Sequence, residues 1–213
     1  LLFDLDGTLI DSRRDLAAAT NRLLADLGLA PLPLERICAH VGRGARTLLA
    51  RTLAEADPEG RVSREDDRLR HFLGHYEAVL LDTTRPFPGV EAGLERLRVA
   101  GVPMAVVTNK PLAPSLRILE GLDLLRFFPV VLGGDGPEGK KPEPGPLWAA
   151  ADRLGQGRDR CLYIGDSDVD IEAAAAAGMP ALWCSWGGIH PDAPPGQPRR
   201  VDSFEDLVAQ ILG

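Results

Sequence analysis

Cysteine is scarce in this sequence of 213 residues, and the three that occur, Cys38, Cys161 and Cys184, lie far apart. An odd count without a Cys-x-x-Cys spacing excludes a disulfide framework and a zinc module. It is typical of a chain that stays reduced in the cytosol. We therefore expect a cytoplasmic protein.

Basic charge is also low. The 24 Lys and Arg residues are outnumbered by 31 Asp and Glu residues, which gives a net charge of −7. Binding to nucleic acid or to an anionic membrane surface needs a basic patch, so we expect neither partner. A small anionic substrate is compatible with this charge, because a metal ion and a few cations can hold it locally.

No long hydrophobic run is present either. The longest uncharged segment, 173–191, is interrupted by three glycines and by Pro180, so it does not predict a membrane span. The sequence shows no basic leader or signal-like segment. Because Leu1 stands inside a hydrophobic run, we expect a few preceding residues to be missing from the sequence as given.

Short apolar runs alternate with helical stretches along most of the chain. The strand-like runs are Leu1–Leu5, Val102–Val107, Val130–Leu132, Leu162–Ile164 and Ala181–Trp183. The helical stretches cover about residues 90–100, 112–120, 144–154 and 169–177. This alternation predicts an α/β fold, a Rossmann-like parallel sheet with helices on both faces. Ligands bind such sheets at the carboxyl ends of the strands, so the residues after each run matter most.

Residues 13–82 interrupt this alternation. No strand-like pattern occurs among them, and their apolar residues recur at helical spacing. This spacing is seen at Leu16, Leu23, Leu24 and Leu27. We predict that 13–82 form an inserted, all-helical cap domain on a catalytic core made of residues 1–12 and 83–213. The hinges are expected near Ser12 and Pro86.

The first candidate site is the sequence FDLDGTLIDS at residues 3–12. Asp4 and Asp6 are two positions apart on a predicted strand, so their side chains project to the same side. Carboxylates this close repel each other unless a cation or a shared proton intervenes, and Mg²⁺ takes oxygen ligands of this kind. Gly7 lets the backbone turn near a ligand, and Thr8 adds a hydroxyl. The alternative is a solvated acidic turn.

Two further clusters offer groups that bind phosphate. In VVTNKP, residues 106–111, Thr108 and Asn109 carry hydroxyl, amide and backbone donors. In GKKPEPGPL, residues 139–147, Lys141 is held extended by the following proline and can neutralise a carboxylate and a phosphate together. Taken singly, each has an ordinary alternative: Thr108 caps a helix, and Lys141 is solvated.

The fourth cluster is YIGDSDVDIEAAAAAG at residues 163–178. Its polar residues crowd the first turn of an Ala-rich helix, and they are Asp166, Ser167, Asp168 and Asp170. Carboxylates at a helix N-terminus are stabilised by the helix dipole and by capping, which accounts for part of the cluster. Four polar groups exceed what a cap requires. We therefore assign a metal-binding role to at least Asp166.

Together, these clusters resemble the haloacid dehalogenase superfamily of phosphatases. The shared pattern is Asp-x-Asp-Gly-Thr-Leu, Thr-Asn-Lys, Lys-Pro-x-Pro and Gly-Asp-Ser-x-x-Asp, with a helical cap after the first motif. The resemblance implies that Asp4 is a nucleophile forming an aspartyl-phosphate and that Asp6 is the general acid and base. A dehalogenase needs neither Asp6 nor Mg²⁺, so the resemblance favours a phosphatase.

The resemblance also implies a magnesium cofactor and a set of substrate contacts. The implied Mg²⁺ ligands are Asp4, the backbone carbonyl of Asp6 and Asp166, with Asp170 in a supporting position. The phosphoryl group would be held by Thr108, Asn109 and Lys110, and Lys141 would neutralise Asp4 and the phosphate. The partner is a small phosphorylated metabolite.

Substrate choice is expected to come from the cap, because the core recognises only the phosphoryl group. Residues 41–47, VGRGART, resemble the family's cap loop facing the site. Gly42 and Gly44 free the backbone there. Arg43 could pair with a substrate carboxylate or could simply be solvated. With FPGV at 87–90 and GGD at 133–135, the loop makes the chain most similar to bacterial phosphoglycolate phosphatases.

Two segments depart from that group. They are GDGPEG at 134–139 and WGGIHP at 186–191. The Ile-His-Pro-Asp run in the second segment resembles sugar-phosphate phosphatases of the N-acetylmuramic acid 6-phosphate type. The motifs are also compatible with a phosphomutase and with a catalytically silent binding module. The silent module is disfavoured because Asp4, Asp6, Lys141 and Asp166 are all present.

Overall fold

The computed structural model of the protein describes residues 1–60, 67–187 and 199–213. The strands are β1 (Leu2–Phe3), β2 (Ile10–Asp11), β3 (Arg85–Pro86), β4 (Ala105–Val107), β5 (Val130–Leu132), β6 (Tyr163–Gly165), β7 (Ala181–Cys184) and β8 (Arg199–Val201). The helices are α1 (Arg13–Asp26), α2 (Leu34–Cys38), α3 (Ala45–Ala56), α4 (Arg68–Glu77), α5 (Val90–Val99), α6 (Leu112–Gly121), α7 (Gly145–Arg153), α8 (Asp168–Ala177) and α9 (Phe204–Leu212). Two 3₁₀ helices cover Leu125–Phe127 and Arg158–Arg160.

Six of the strands form one parallel sheet in the order β5-β4-β1-β6-β7-β8. β1 lies between β4 and β6, with Leu2 paired to Ala105 on one side and to Tyr163 on the other. The predicted α/β class with a parallel sheet is therefore confirmed. Its strand order places the carboxyl ends of β4, β1 and β6 next to one another.

Helices cover both faces of the sheet. Successive strand residues point to opposite faces, so Phe3, Val106 and Ile164 pack in an apolar cluster with α5, α6 and α9. Their neighbours Leu2 and Ala105 pack in a second cluster with α7 and α8. Burial on both faces explains why these strands read as continuous apolar runs rather than as alternating ones.

The helices α1 to α4 are inserted between β2 and β3, which pair antiparallel. The two passages of the chain into and out of this helical insertion therefore lie side by side. Asp15, in the first turn of α1, accepts hydrogen bonds from the backbone N–H of Thr83 at 3.0 Å and of Thr84 at 2.8 Å. This contact ties the start of the insertion to its end. The helical cap is thus present, and its bounds at 13–82 remain a prediction.

Several elements were not predicted from the sequence. They are the β2–β3 pair, the short helix α2, and the C-terminal β8 and α9. β8 contains two exposed arginines and one buried valine, so it lacks the apolar run that identifies an inner strand. The segment 186–191 lies mostly outside the described residues. Among the described helices, none combines the length and apolar character needed to cross a membrane.

Candidate active site

The polar clusters meet at one edge of the parallel sheet. The residues that follow β1, β4 and β6 are, in that order, Asp4 with Asp6, Thr108 with Asn109, and Asp166. Because these three strands are neighbours, their carboxyl ends bring the side chains together. Lys141 reaches the same edge from the loop that precedes α7. The four clusters therefore form a single site.

Lys141 lies at the centre of a buried charge network. Its ammonium donates hydrogen bonds to Oδ1 of Asp4 at 2.7 Å, to Oδ1 of Asp170 at 2.6 Å and to the hydroxyl of Tyr163 at 2.8 Å. Only 2% of the Lys141 side chain is exposed, which excludes the alternative of a solvated lysine. Three hydrogen bonds match the three donors of an ammonium group, so Lys141 is fixed between two carboxylates.

Burial and charge act in opposite directions on this network. Burial raises the pKa of Asp4 to about 6, and the nearby Lys141 offsets only part of the effect. Burial also acts to raise the pKa of Asp170, but Lys141 and hydrogen bonds from Ser167 outweigh it and leave that pKa below its ordinary value. Burial acts to lower the pKa of Lys141, whereas the two carboxylates bring it above its ordinary value. Ionisation of Asp170 is therefore easier than that of an ordinary aspartate, whereas ionisation of Asp4 is harder.

Asp170 is also bound to the first turn of α8. Its Oδ2 accepts hydrogen bonds from the backbone N–H of Ser167 at 3.0 Å and from the Ser167 hydroxyl at 2.6 Å. Contacts of this kind are typical of helix capping. One oxygen of Asp170 therefore caps the helix while the other holds Lys141.

The carboxylates also form a candidate metal site. Asp4, Asp166 and Asp170 each offer an oxygen, and the three oxygens lie within 4.8 Å of one another. Within the part of the chain that the structure describes, Oδ2 of Asp166 is buried and has no hydrogen-bond partner. Burial raises the pKa of Asp166 well above its ordinary value, and Asp170 and Asp4 raise it further. A buried carboxyl of this kind needs a nearby cation in order to be ionised, and an all-oxygen donor set fits Mg²⁺.

The turn after β1 makes room for Asp166. Gly7 has a φ of +87°, which is unfavourable for other residues, and a Cβ at this position would lie 2.3 Å from Oδ2 of Asp166. Thr8 donates its hydroxyl to Oδ1 of Asp166 at 3.5 Å. The Asp-Gly-Thr sequence therefore shapes the pocket in which the unpaired oxygen lies.

Asp6 lies at the junction between the sheet edge and the inserted helices. The ammonium of Lys110 donates to its Oδ1 at 3.1 Å and to its Oδ2 at 3.0 Å, and the Ser12 hydroxyl donates to Oδ1. Lys110 also donates to the hydroxyl of Tyr76, on α4, at 2.7 Å. Burial raises the pKa of Tyr76 to about 12, so its side chain is a neutral phenol at physiological pH.

Asn109 holds the loop that carries Lys141. Its Oδ1 accepts the backbone N–H of Lys141 at 2.9 Å, and its amide donates to the Lys141 carbonyl at 2.9 Å. The same amide donates to the carbonyl of Gly42 at 3.0 Å. The Asn109 side chain is therefore engaged with backbone groups of the site and of the cap loop. This gives it a positioning role beside the predicted contact with substrate. The hydroxyl of Thr108 accepts the backbone N–H of Lys110 at 3.2 Å.

A small cavity of about 40 Å³ lies between the sheet edge and the inserted helices. Its polar floor comprises Asp4, Asp6, Thr108, Asn109 and Lys110. Its apolar wall comprises Leu16, Val41, Leu48, Phe72 and Leu73. A few convergent polar groups facing an apolar wall are the usual composition of a ligand-binding pocket.

The residues of the predicted cap loop, 41–47, have two kinds of environment: some line the cavity, and Arg43 contacts α8. Gly42 and Gly44 line the cavity, as the prediction that the loop faces the site requires. Arg43 instead donates to Oδ2 of Asp168, on α8, at 2.8 Å, and both side chains are partly exposed. This ion pair joins the inserted helices to the sheet side of the molecule.

Three residues that contact the site in the structure were not assigned to it from the sequence. Ser12 and Tyr163 stand at the ends of recognised motifs, so their position next to the clusters was a usable signal. Tyr76 gave no such signal, because it occupies one of the apolar positions in a helix and looks like an ordinary core residue.

A family model for haloacid dehalogenase-like hydrolases matches residues 1–184 of the chain. The chain belongs to this family. This match confirms the resemblance found in the sequence. It also confirms the prediction of an α/β core with an inserted helical cap. The matched residues of this haloacid dehalogenase-like hydrolase include all four clusters of the site.

Several relatives of this hydrolase are named phosphoglycolate phosphatase. A phosphoglycolate phosphatase of Xanthomonas campestris pv. campestris is 41% identical over 187 residues, which are 88% of this chain and 83% of the relative. A phosphoglycolate phosphatase of Cereibacter sphaeroides is 40% identical over 100% of this chain and 98% of its own length. The solved structure of a predicted phosphoglycolate phosphatase from Haemophilus somnus 129pt has a TM-score of 0.91 at 31% identity, over 100% of this chain and 96% of that one.

Proposed function

We propose that this hydrolase removes the phosphoryl group from 2-phosphoglycolate, with Mg²⁺ as cofactor and an aspartyl-phosphate as intermediate. One observation carries the proposal: Lys141 holds Asp4 on the polar floor of the cavity, and Asp6 lies two residues away on the same floor. A nucleophile, a cation and an acid–base group are the elements that phosphoryl transfer needs.

Asp4 is the proposed nucleophile. Its carboxylate attacks phosphorus, the bond from phosphorus to the leaving oxygen breaks, and Asp6 donates a proton to that oxygen. Water then attacks phosphorus, the bond from phosphorus to the Asp4 oxygen breaks to release phosphate and restore the carboxylate, and Asp6 takes the proton that the water loses. Burial raises the pKa of Asp4, and the Lys141 contact at 2.7 Å limits the rise and leaves a pKa of about 6, so the ionised, nucleophilic form is favoured at neutral pH.

The rest of the floor positions the phosphoryl group. Thr108 and the backbone of the 108–110 segment face the cavity and offer donors to the phosphoryl oxygens. Asn109 contributes by fixing the backbone of Lys141 through two hydrogen bonds of 2.9 Å. Positioning of this kind accounts for much of the catalysis in phosphoryl transfer.

The proposed Mg²⁺ ligands are Asp4, the backbone carbonyl of Asp6 and Asp166. Support comes from the neighbouring carboxylates of Asp4 and Asp166 and from Oδ2 of Asp166, which has no partner within the described chain. When bound, the ion would offset the negative charge that accumulates on the phosphoryl oxygens. Asp170 supports the site through Lys141 rather than through direct contact, because its oxygens bind Lys141, Tyr163 and Ser167.

Two observations favour a small substrate such as 2-phosphoglycolate. Relatives with about 40% identity over most of the chain are named phosphoglycolate phosphatases. The cap residues Leu48, Phe72 and Leu73 that line the cavity offer no hydrogen-bonding side chains to the hydroxyls of a sugar phosphate, which disfavours such a substrate. The substrate is therefore proposed to be a short phosphorylated acid.

The experiment is a phosphate-release assay on 2-phosphoglycolate, a panel of other small phosphorylated metabolites and a generic aryl phosphate, with Mg²⁺ and with a chelator. We expect 2-phosphoglycolate to have the highest kcat/KM and the chelator to abolish turnover. A preference for N-acetylmuramic acid 6-phosphate would overturn the substrate proposal.

A nucleophile variant tests the mechanism in the same assay. Asp4→Asn should lower kcat by roughly 10⁴-fold on every substrate. Asp152→Asn, at an exposed position of α7, is the matched control and should keep normal turnover. Normal turnover by the Asp4→Asn protein would refute the aspartyl-phosphate.

A further inference from the structure

Lys110 lies between the catalytic core and the inserted helices. It follows β4, and only 4% of its side chain is exposed. Its ammonium contacts both carboxylate oxygens of Asp6, at 3.1 and 3.0 Å, and the hydroxyl of Tyr76 at 2.7 Å. An ammonium group has three N–H donors, and these three contacts use all of them. In this arrangement Lys110 acts on the reaction through Asp6.

Tyr76 brings the cap into this arrangement. It is a residue of α4, is only 2% exposed and lines the cavity. Its ring is stacked on Phe72, with centroids 5.8 Å apart and planes inclined by 8°. The stack fixes the ring on the helix, so the hydroxyl reaches Lys110 only while α4 is seated over the site. The remaining cap residues of the cavity wall are apolar and cannot replace this hydrogen bond.

The consequence concerns the orientation of Asp6. A lysine side chain with one partner removed regains rotamer freedom, and the carboxylate it holds becomes less well ordered. An acid–base group works efficiently only when it is held at the reacting atoms, and cap closure excludes the competing water. The hydrogen bond between Lys110 and Tyr76 forms only under the seated cap. It therefore links the orientation of Asp6 to the exclusion of water.

We propose that Tyr76 is a positioning residue that, through Lys110, orients the acid–base carboxylate of Asp6 when the cap is seated. The proposal rests on the phosphatase function proposed above. It assigns Tyr76 an effect on the rate of the chemical step rather than on substrate affinity. It also refines the predicted role of Lys110, which becomes the link between cap and acid.

A double-mutant cycle in kcat tests the proposal. The variants are Tyr76→Phe, which removes only the hydroxyl, Lys110→Met, and the double variant, each assayed with 2-phosphoglycolate and with a generic aryl phosphate. We expect Tyr76→Phe to lower kcat about tenfold in the native background and less than about twofold in the Lys110→Met background. KM should change little in the Tyr76→Phe protein.

Leu48→Val is the matched control. It alters the apolar wall of the same cavity from α3 and leaves the Phe72–Tyr76 stack and every hydrogen-bonding side chain in place, so its effect on kcat should be the same in the native and the Lys110→Met backgrounds. Thermal unfolding of each variant checks that the fold is retained.

The outcomes separate this proposal from the proposed function. An equal effect of Tyr76→Phe in both backgrounds, or a change confined to KM, would overturn the positioning role while the phosphatase function stands. A native protein that releases no phosphate from any of the substrates would refute the function and the positioning role together.

Discussion

On the sheet side of the cavity, charged groups bind one another: Lys141 contacts Asp4 and Asp170 while all three are buried. On the cap side, the wall is apolar, and the polar contacts that join the cap to the core include those of Tyr76, Gly42 and Arg43. The sheet side is assembled before substrate arrives, which suits a transition state that needs fixed charges. The cap side instead packs on the core through apolar side chains, with separate polar contacts in place of a buried charge network.

The largest effect is expected at Lys141, because the buried charge network of the sheet side depends on this one cation. Lys141→Met would leave Asp4 and Asp170 buried without their cation, and removing one partner of a buried ion pair costs about 3–5 kcal/mol. We expect a fall of that size in the free energy of unfolding, measured with denaturant in metal-free protein. Lys140→Met, at the exposed neighbouring position, is the matched control and should change stability by less than about 0.5 kcal/mol. Equal stabilities of the two variants would show that the network is not the rigid part of the site.

The unpaired oxygen of Asp166 predicts a second effect, on binding of Mg²⁺ itself. An ion that binds the folded state stabilises it by about 2.7 kcal/mol at a hundredfold excess over Kd. We expect Mg²⁺ to raise the unfolding temperature of the native protein, and of Asp168→Asn as a control, but not of Asp166→Asn. An undiminished response of the Asp166→Asn protein would place the ion elsewhere.

The sheet side could be predicted from the sequence far better than the cap side. Asp4, Asp6 and Asp166 stand in short motifs at the ends of apolar runs, and parallel strands bring such ends together whatever the loops do. Lys141 stands in a short motif of its own, in the loop before α7. The contacts across the cavity depend instead on how α4 and the 41–47 loop pack on the core. Tyr76 occupies a core-like helical position, and Arg43 has both a carboxylate substrate and Asp168 as possible partners. Only the packed structure shows which partners Tyr76 and Arg43 have, because sequence spacing does not determine the distance from these side chains to the core.

The raised pKa of Asp4 predicts a pH effect on the metal-free protein. Its pKa is about 6 in the folded state against an ordinary 3.8, so the folded protein binds this proton more tightly than the unfolded chain does. Ionised Asp4 therefore lowers stability above pH 6, and the cost disappears as the pH falls through 6 toward 4. Relative to the native protein, Asp4→Asn should gain about 1 kcal/mol of unfolding free energy between pH 5 and pH 8. A difference that does not vary with pH would mean that Asp4 ionises normally.

The smallest effect is expected on the cap side, at Arg43. Its ion pair with Asp168 is partly exposed, with 33% and 42% of the two side chains accessible, and such pairs contribute about 0.2–1 kcal/mol. If this pair helps to seat the cap, Arg43→Ala and Asp168→Asn should have the same modest effect on kcat/KM, no more than about fivefold, with 2-phosphoglycolate and with an aryl phosphate alike. A loss in the Arg43→Ala protein alone, and only with 2-phosphoglycolate, would instead assign the guanidinium to the substrate carboxylate. That result would make the cap side a charged recognition surface and would remove the contrast with the sheet side at this position.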